Sequence, residues 1–298
     1  MSFNEGVRSD TSRVRTSSGR KAAGIGGGSV LLVVAVFLIG QFTGVDLTPI
    51  LGGVSSSQQV ESVPGIDLSD CGTAEAANSR TECRMVMTAD SLDAVWKNQL
   101  AEQNTSVTYK MPSFQIFQDA VSTGCGNATS YSGPFYCPAD SSVYLDLGFF
   151  EQLETQFGAV NAPLAQEYVV AHEWGHHIQN LQGILSTYNT RETGEQGAGV
   201  RSELQADCYA GVWMHWASRT KDPDSGVTFL QEPTESQIAD ALAAAEAIGD
   251  DRIQEKYQGS SNSETWTHGS SEQRQTWLLK GLKSGSIQTC DTWSAQTV

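Results

Sequence analysis

Three of the five histidines in this 298-residue chain lie within six positions of one another. His172, Glu173 and His176 form an HExxH sequence, and the spacing of the residues around it predicts a helix. On a helix, His172 and His176 lie one turn apart on the same face, where both imidazoles can bind one zinc ion. Glu173 lies beside that face, so its carboxylate could take a proton from a zinc-bound water. HExxH also occurs on ordinary polar surface helices, so further ligands are needed to decide between these interpretations.

A second motif offers the missing ligand, because a catalytic zinc ion usually has three protein ligands and one position open to water. Glu203 and Asp207 are four residues apart, which predicts two carboxylates on one face of a helix that also buries apolar residues. Buried carboxylates are costly unless they are paired or bind a metal. We expect Glu203 to bind the zinc ion and Asp207 to accept a hydrogen bond from a liganding histidine. The alternative is a solvated acidic helix edge.

Two later residues could complete the site. His268 precedes a helix that Ser270 caps, and it could donate a hydrogen bond to the oxyanion of a tetrahedral intermediate. Alternatively, His268 only packs against Trp266. Arg274 lies one turn into the same helix and could pair with Glu203 or Asp207.

The two remaining histidines are predicted to be structural. His177 points about 100° away from His176 around the helix. His215 lies between two tryptophans, which indicates a core or helix-capping position.

The sequences HEWGHH, ELQADCYAGVW and THGSSEQR, in this order, resemble the motifs of a bacterial family known as putative neutral zinc metallopeptidases. More distantly, HExxH followed by ExxxD is the signature of thermolysin-like gluzincins. The resemblance covers nearly the whole chain and implies a zincin-like fold. It also implies one zinc ion on His172, His176 and Glu203, with Glu173 as base and Asp207 supporting His172. It carries no information on the substrate.

The cysteines indicate export, because all six follow residue 70 and an even number in an exported domain is typical of disulfides. Short loops close easily, so we expect the first cysteine to pair with the second and the third with the fourth, leaving the fifth for the sixth. Free buried thiols are the alternative. The family resemblance supports two disulfides among the last four cysteines and leaves the first pair specific to this chain. In order, the six are Cys71, Cys83, Cys125, Cys137, Cys208 and Cys290.

Charge excludes one class of partner. The chain has 18 basic and 34 acidic side chains, a net charge of −16, which argues against nucleic-acid binding. Residues 1–21 contain five basic and two acidic side chains, so this segment carries +3 and the remainder carries −19. We expect the two parts to lie in different compartments.

An uncharged stretch of 24 residues, 22–45, is long enough to cross a bilayer and predicts a single transmembrane anchor. A cleaved signal peptide is the alternative. Because basic residues stay on the cytoplasmic side, we expect a cell-membrane protein with a cytoplasmic tail at 1–21 and the rest outside. The family resemblance implies that the protein is bacterial. Residues 46–70 are rich in Gly, Ser and Pro and predict a flexible stalk before a folded domain at 71–298.

The folded domain is predicted to be α+β, with a small sheet before a mainly helical half. Strands are predicted at 107–117 and 142–147, and the second could be an edge strand that an extended peptide joins. Helices are predicted at 90–102, 148–157, 164–182, 200–217, 235–248 and 271–284.

These patterns predict a membrane-anchored zinc endopeptidase that binds one zinc ion and acts on a peptide or protein. The alternative is a non-catalytic, membrane-anchored binding or scaffold module, in which zinc only joins two helices. A closed site with four protein ligands would favour that alternative.

Overall fold

The computed structural model describes residues 1–18, 66–103 and 105–298. The helices in these residues are α1 (Ala74–Ser79), α2 (Thr81–Glu102), α3 (Phe149–Phe157), α4 (Pro163–Leu181), α5 (Ile184–Thr187), α6 (Ala198–Ala217), α7 (Glu235–Ala247), α8 (Asp250–Gln258) and α9 (Ser271–Ser284). The strands are β1 (Val14–Ser18), β2 (Ser113–Gln118), β3 (Ala120–Thr123), β4 (Gly126–Thr129), β5 (Phe135–Cys137) and β6 (Ser142–Asp146). The fold is therefore α+β, as predicted.

Four strands form the main sheet in the order β1-β2-β6-β5, and β3 and β4 form a separate hairpin. β1, β2 and β6 are parallel, whereas β5 is antiparallel to β6. The prediction that the strand at 142–147 lies at an edge is wrong, because β6 has a partner on each side and all five of its residues are buried. The edge strand is β5, which has only three residues and is too short to give an alternating pattern.

The N-terminal segment differs most from expectation. Instead of a separate tail, residues 1–18 pack on the folded body, and β1 pairs with β2 along its whole length. Phe3 and Val7 are buried in the same core as the helices. An isolated bridge also joins Phe3 to Leu230. The sequence pattern does not predict this packing, because the segment contains only a few apolar residues among polar ones.

The helical half follows the sequence pattern closely. The predicted helices at 148–157, 164–182, 200–217, 235–248 and 271–284 correspond to α3, α4, α6, α7 and α9. Capping boxes begin α7 at Thr234 and α9 at Ser270, where each hydroxyl accepts the N–H of the residue three positions later. The helix predicted from Asp90 begins earlier, at Thr81, because the first half of α2 buries polar and apolar residues alike and shows no solvent face.

Glycines let the central helices approach closely. A Cβ at Gly175 of α4 would lie 2.9 Å from both Cα and O of Ala206 in α6. A Cβ at Gly281 of α9 would lie 1.9 Å from the carbonyl oxygen of Cys208 in α6. α6 is therefore held between α4 and α9 at distances that side chains would prevent.

The three disulfides pair Cys71 with Cys83, Cys125 with Cys137, and Cys208 with Cys290, as predicted. The predicted anchor at 22–45 and most of the predicted stalk lie outside the described residues. Within residues 1–18, 66–103 and 105–298, no helix has the length and apolar character needed to cross a bilayer.

Candidate metal centre and active-site cleft

Helix α4 positions the HExxH residues. Pro163 occupies its first turn, where a missing N–H is tolerated, and the helix then runs without interruption to Leu181. His172 and His176 lie one turn apart, with ring centroids separated by 4.8 Å and planes perpendicular. The two imidazoles therefore face the same space from one side of α4.

Helix α6 brings a carboxylate to this space from the other side. Glu203 Oε2 lies 3.1 Å from His172 Nε2, and Glu203 Oε1 lies 3.4 Å from His176 Nε2. The three ligand atoms lie within 4.8 Å of one another. Two ligands about 2.1 Å from a tetrahedral zinc ion are about 3.4 Å apart, so the spacing and the donor set both fit zinc.

A buried network orients His172. Its Nδ1 lies 2.8 Å from Asp207 Oδ1, which leaves Nε2 directed at Glu203. Arg274 donates from Nε to Asp207 Oδ2 at 2.9 Å and from Nη2 to Oδ1 at 3.0 Å. The Tyr168 hydroxyl also donates to Oδ1 at 2.6 Å. Asp207 is thus the partner of Arg274 and the residue that fixes the imidazole tautomer.

These contacts set the charges of the network. Burial alone would raise the pKa of Asp207, but the neighbouring Arg274 and His172 outweigh it and lower this pKa below its usual value. Burial disfavours the charged form of His172, yet Asp207 and Glu203 together raise its pKa to about 10. The carboxylates therefore create a strongly cation-attracting site around the two imidazoles.

His176 is oriented by a residue that the motifs do not predict. Gln179 Oε1 lies 2.9 Å from His176 Nδ1, and the Gln179 amide donates to the Ser202 carbonyl oxygen at 2.7 Å. Gln179 therefore orients the second imidazole and also links α4 to α6. Its position three residues after His176 is the only signal in the sequence.

Glu173 lies in the same cleft, and only 8% of the residue is exposed. Burial raises the pKa of its carboxyl above the usual range, against the opposing effect of His172, His176 and a hydrogen bond from the Tyr136 backbone. A carboxylate whose pKa is raised is a better proton acceptor near neutral pH. Tyr136 belongs to β5, so the edge strand lies directly beside this side chain.

His268 also lines the cleft, just before α9, and its side chain is about half exposed. Asp250 holds it, since Oδ2 accepts the backbone N–H groups of Thr267 and His268, both at 2.6 Å. Asp250 Oδ1 lies 3.3 Å from His268 Nδ1. Asp250 begins α8, a helix that the sequence pattern does not predict, and so this partner was missed.

The cleft has a volume of about 450 Å³. Its polar lining includes His172, Glu173, His176, Glu203 and His268, and its apolar lining includes Phe149, Val169, Ile248 and Ile253. Residues 132–136, which lead into β5, form part of the rim. The lining of the cleft therefore combines part of an edge strand with polar and apolar side chains.

The remaining histidines are structural, as predicted. Burial lowers the pKa of His177 to about 4, and its ring lies 2.6 Å from the Lys110 carbonyl oxygen and 3.1 Å from the Tyr136 hydroxyl. The His215 ring lies 2.8 Å from the Leu282 carbonyl oxygen, near the end of α9.

Two imidazoles and a glutamate, with a second glutamate beside them, are the set of groups that zinc-dependent hydrolases use. A family model described as "Putative neutral zinc metallopeptidase" matches residues 1–293. The chain belongs to this family.

Relatives in other bacteria are similar over most of their length. The protein Rv2575 of Mycobacterium tuberculosis, described as uncharacterized, is 48% identical over 299 residues, which cover 99% of each chain. The Escherichia coli protein YpfJ, also described as uncharacterized, is 37% identical over 272 residues, which cover 90% of this chain and 86% of YpfJ. No solved structure matches the chain significantly.

Proposed function

We propose that the protein is a zinc-dependent endopeptidase with a zincin-like fold. The observation that carries this proposal is the convergence of His172, His176 and Glu203, whose ligand atoms lie within 4.8 Å of one another in a cleft that also contains Glu173. A zinc ion on these three residues would supply Lewis-acid chemistry, acidifying water and polarising a carbonyl group.

The chain's own residues supply the proton transfers. Glu173 lies in the cleft with a raised pKa, which suits it to accept a proton from water and pass it to the leaving amine. His268, held by Asp250 in the lining of the cleft, donates a hydrogen bond to the oxyanion as the carbonyl becomes tetrahedral. Asp207 and Arg274 keep His172 in the ligand tautomer.

The edge strand β5 supports a peptide as the substrate. β5 pairs with β6 on one side only, and its Tyr136 lines the cleft beside Glu173. An extended peptide can add to such an edge through backbone hydrogen bonds, which bring its carbonyl groups towards the metal centre. The proposed substrate is therefore an extended segment of a peptide or protein.

A non-catalytic zinc module is less well supported. Within the described residues, the only group suited to holding a metal ion has three members, which leaves a position for water. His268, the candidate for a fourth ligand, is directed by Nδ1 towards Asp250.

Export of the protein is also proposed. Three disulfides support an oxidising compartment outside the cytoplasm, and the uncharged stretch at 22–45 supports association with the bacterial cell membrane.

The test compares the full-length protein with its Glu173→Gln variant. We expect both to retain one zinc ion, and the variant to cleave a mixture of unstructured peptides about 10²- to 10⁴-fold more slowly, because it has lost its general base. Glu154→Gln, at an exposed position of α3, is the matched control and should cleave like the parent. Comparable cleavage by Glu173→Gln would exclude the proposed base. Zinc binding by the parent without any cleavage would favour the non-catalytic module.

A further inference from the structure

The N-terminal residues 1–18 fill a defined place on the body of the protein. Met1, Phe3 and Val7 are at most 2% exposed. The Phe3 backbone N–H donates to Asn78 Oδ1 at 2.8 Å, and the Asn78 amide donates back to the Phe3 carbonyl oxygen at 3.0 Å. Asn4 continues these contacts, since its N–H donates to the Phe229 carbonyl oxygen. The segment therefore bridges parts of the chain that are far apart in sequence.

The same segment completes the main sheet. All five residues of β1 pair with β2 in parallel register, from Val14 opposite Phe114 to Ser18 opposite Gln118. Without β1, β2 would be an unpaired edge carrying the buried side chains of Phe114 and Ile116. Exposed edges of this kind favour pairing with other chains.

Arg13 reaches from the segment to the back of the metal-binding helix. Its guanidinium donates to Asp93 of α2 and lies 5.3 Å from the ring centroid of Trp174, the residue that follows Glu173 in α4. The Trp174 indole N–H is 3.0 Å from the Tyr109 hydroxyl and 3.3 Å from Asp93 Oδ1. Arg13 thus neutralises a buried carboxylate and packs on the face of α4 opposite the zinc ligands.

The charge of Arg13 is neutralised by its buried partner. Burial raises the pKa of Asp93, and Arg13 is the main group that opposes this effect. The Arg13 side chain is only 13% exposed, so it is not a free basic residue at a membrane surface. The basic character of the N-terminal segment, from which a cytoplasmic tail is predicted, is therefore explained in part by this ion pair.

We infer that residues 1–18 belong to the metallopeptidase domain and lie on the same side of the membrane as the metal centre. They contribute the strand β1 and a clamp, which is Arg13 with its contacts to Asp93 and Trp174. On this placement, the bilayer does not separate residues 1–18 from residues 66–298. The same conclusion holds whether the segment comes from the same chain or from a neighbouring copy. It does not depend on the proposed catalytic activity.

A cross-link in the full-length protein tests this placement. Arg15 and Gln115 are opposite one another in β1 and β2, so cysteines at both positions are expected to form a disulfide in cells. Mass spectrometry of a non-reducing digest would show the linked peptides. Arg15→Cys combined with Glu255→Cys, on the exposed face of α8, is the matched control and should give no link. Absence of the Arg15–Gln115 link in protein whose three native disulfides have formed would overturn the inference.

A second measurement examines the clamp. In the full-length protein, Arg13→Ala is expected to lower the thermal midpoint by about 5–10 °C, because it leaves Asp93 buried without its cation. Arg15→Ala, two residues along the exposed side of β1, should leave the midpoint unchanged. Adding Asp93→Asn to Arg13→Ala should restore part of the loss. Equal midpoints for Arg13→Ala and Arg15→Ala would contradict the clamp.

Discussion

Each imidazole of the metal centre has a partner at Nδ1 that directs its Nε2 towards the metal position. Asp207 does this for His172, and Gln179 does it for His176. The two partners differ in charge, since Asp207 is an ionised carboxylate paired with Arg274 and Gln179 is a neutral amide. The charged partner makes His172 the more basic ligand, whereas Gln179 mainly sets the ring orientation.

The role of Gln179 can be measured directly. We expect Gln179→Ala to weaken zinc binding about 10- to 100-fold, because the His176 ring loses its orienting acceptor, while the rate at saturating zinc stays close to that of the parent. Gln182→Ala, at the end of the same helix and outside the metal centre, provides the control. Zinc titration with a competing chelator gives the dissociation constants. An unchanged constant for Gln179→Ala would show that the contact has no effect on the metal.

At this scale the sequence predicts the proposed ligands and Asp207 better than it predicts the other partners. His172, His176, Glu203 and Asp207 follow from fixed helical spacing, which a sequence states directly. Asp250 lies 18 residues before His268, so their contact depends on how α8 packs against the loop before α9. Such contacts carry no local pattern and can only be read from the tertiary structure.

Among the elements, the contact between α4 and α6 decides the geometry of the site, because each helix carries part of the ligand set. Gly175 lies at this contact, one residue before His176, and leaves no room for a side chain. The distance between the two imidazoles and Glu203 therefore depends on the absence of a side chain at residue 175.

Gly175→Ala should separate the two helices. We expect it to lower the free energy of unfolding by about 1–3 kcal/mol through overpacking and to weaken zinc binding, since Glu203 moves away from the imidazoles. Gly72→Ala is the control, because a Cβ there would meet its nearest atom at an ordinary 3.5 Å. Denaturant titration and zinc content measure the two effects. Zinc affinity equal to that of the parent would show that the contact tolerates a side chain.

Some helices and strands could be predicted from the sequence pattern, and others could not. Amphipathic helices such as α7 and α9 were predicted, because one face of each is polar and each begins at a specific capping residue. The first half of α2 and the strand β6 are buried on all sides, so they show neither a polar face nor an edge. The roles of β1 and β5 depend on their positions in the sheet, which the sequence pattern does not show.

For the molecule as a whole, the cluster that joins the N-terminal segment to α2 makes stability depend on pH. Burial raises the pKa of Asp90 to about 6, with Ser9 and Arg13 opposing this effect. Since the unfolded chain has an aspartate pKa of about 3.9, the folded state binds this proton more tightly. The corresponding stability is present at pH below about 4 and is lost as the pH rises through 6.

Asp90→Asn should remove this dependence. The free energy of unfolding of the variant minus that of the parent is expected to be about 2 kcal/mol higher at pH 8 than at pH 4, because only the parent loses stability over this range. Both proteins are measured with a chelator present, so that release of zinc at low pH does not contribute. Asp224→Asn, at an exposed position, is the control. The same relative stability at both values would argue against a raised pKa.

The disulfide between Cys125 and Cys137 has a consequence for a molecule that is proposed to cut polypeptides. It closes a ring of chain that includes β4, the exposed Tyr131 and the segment leading into β5 at the mouth of the cleft. Exposed loops near a peptidase cleft are natural targets for self-digestion by neighbouring molecules. A single cleavage anywhere within this ring would break the backbone but leave both new ends joined through the disulfide. The rim of the cleft would therefore stay attached to the protein.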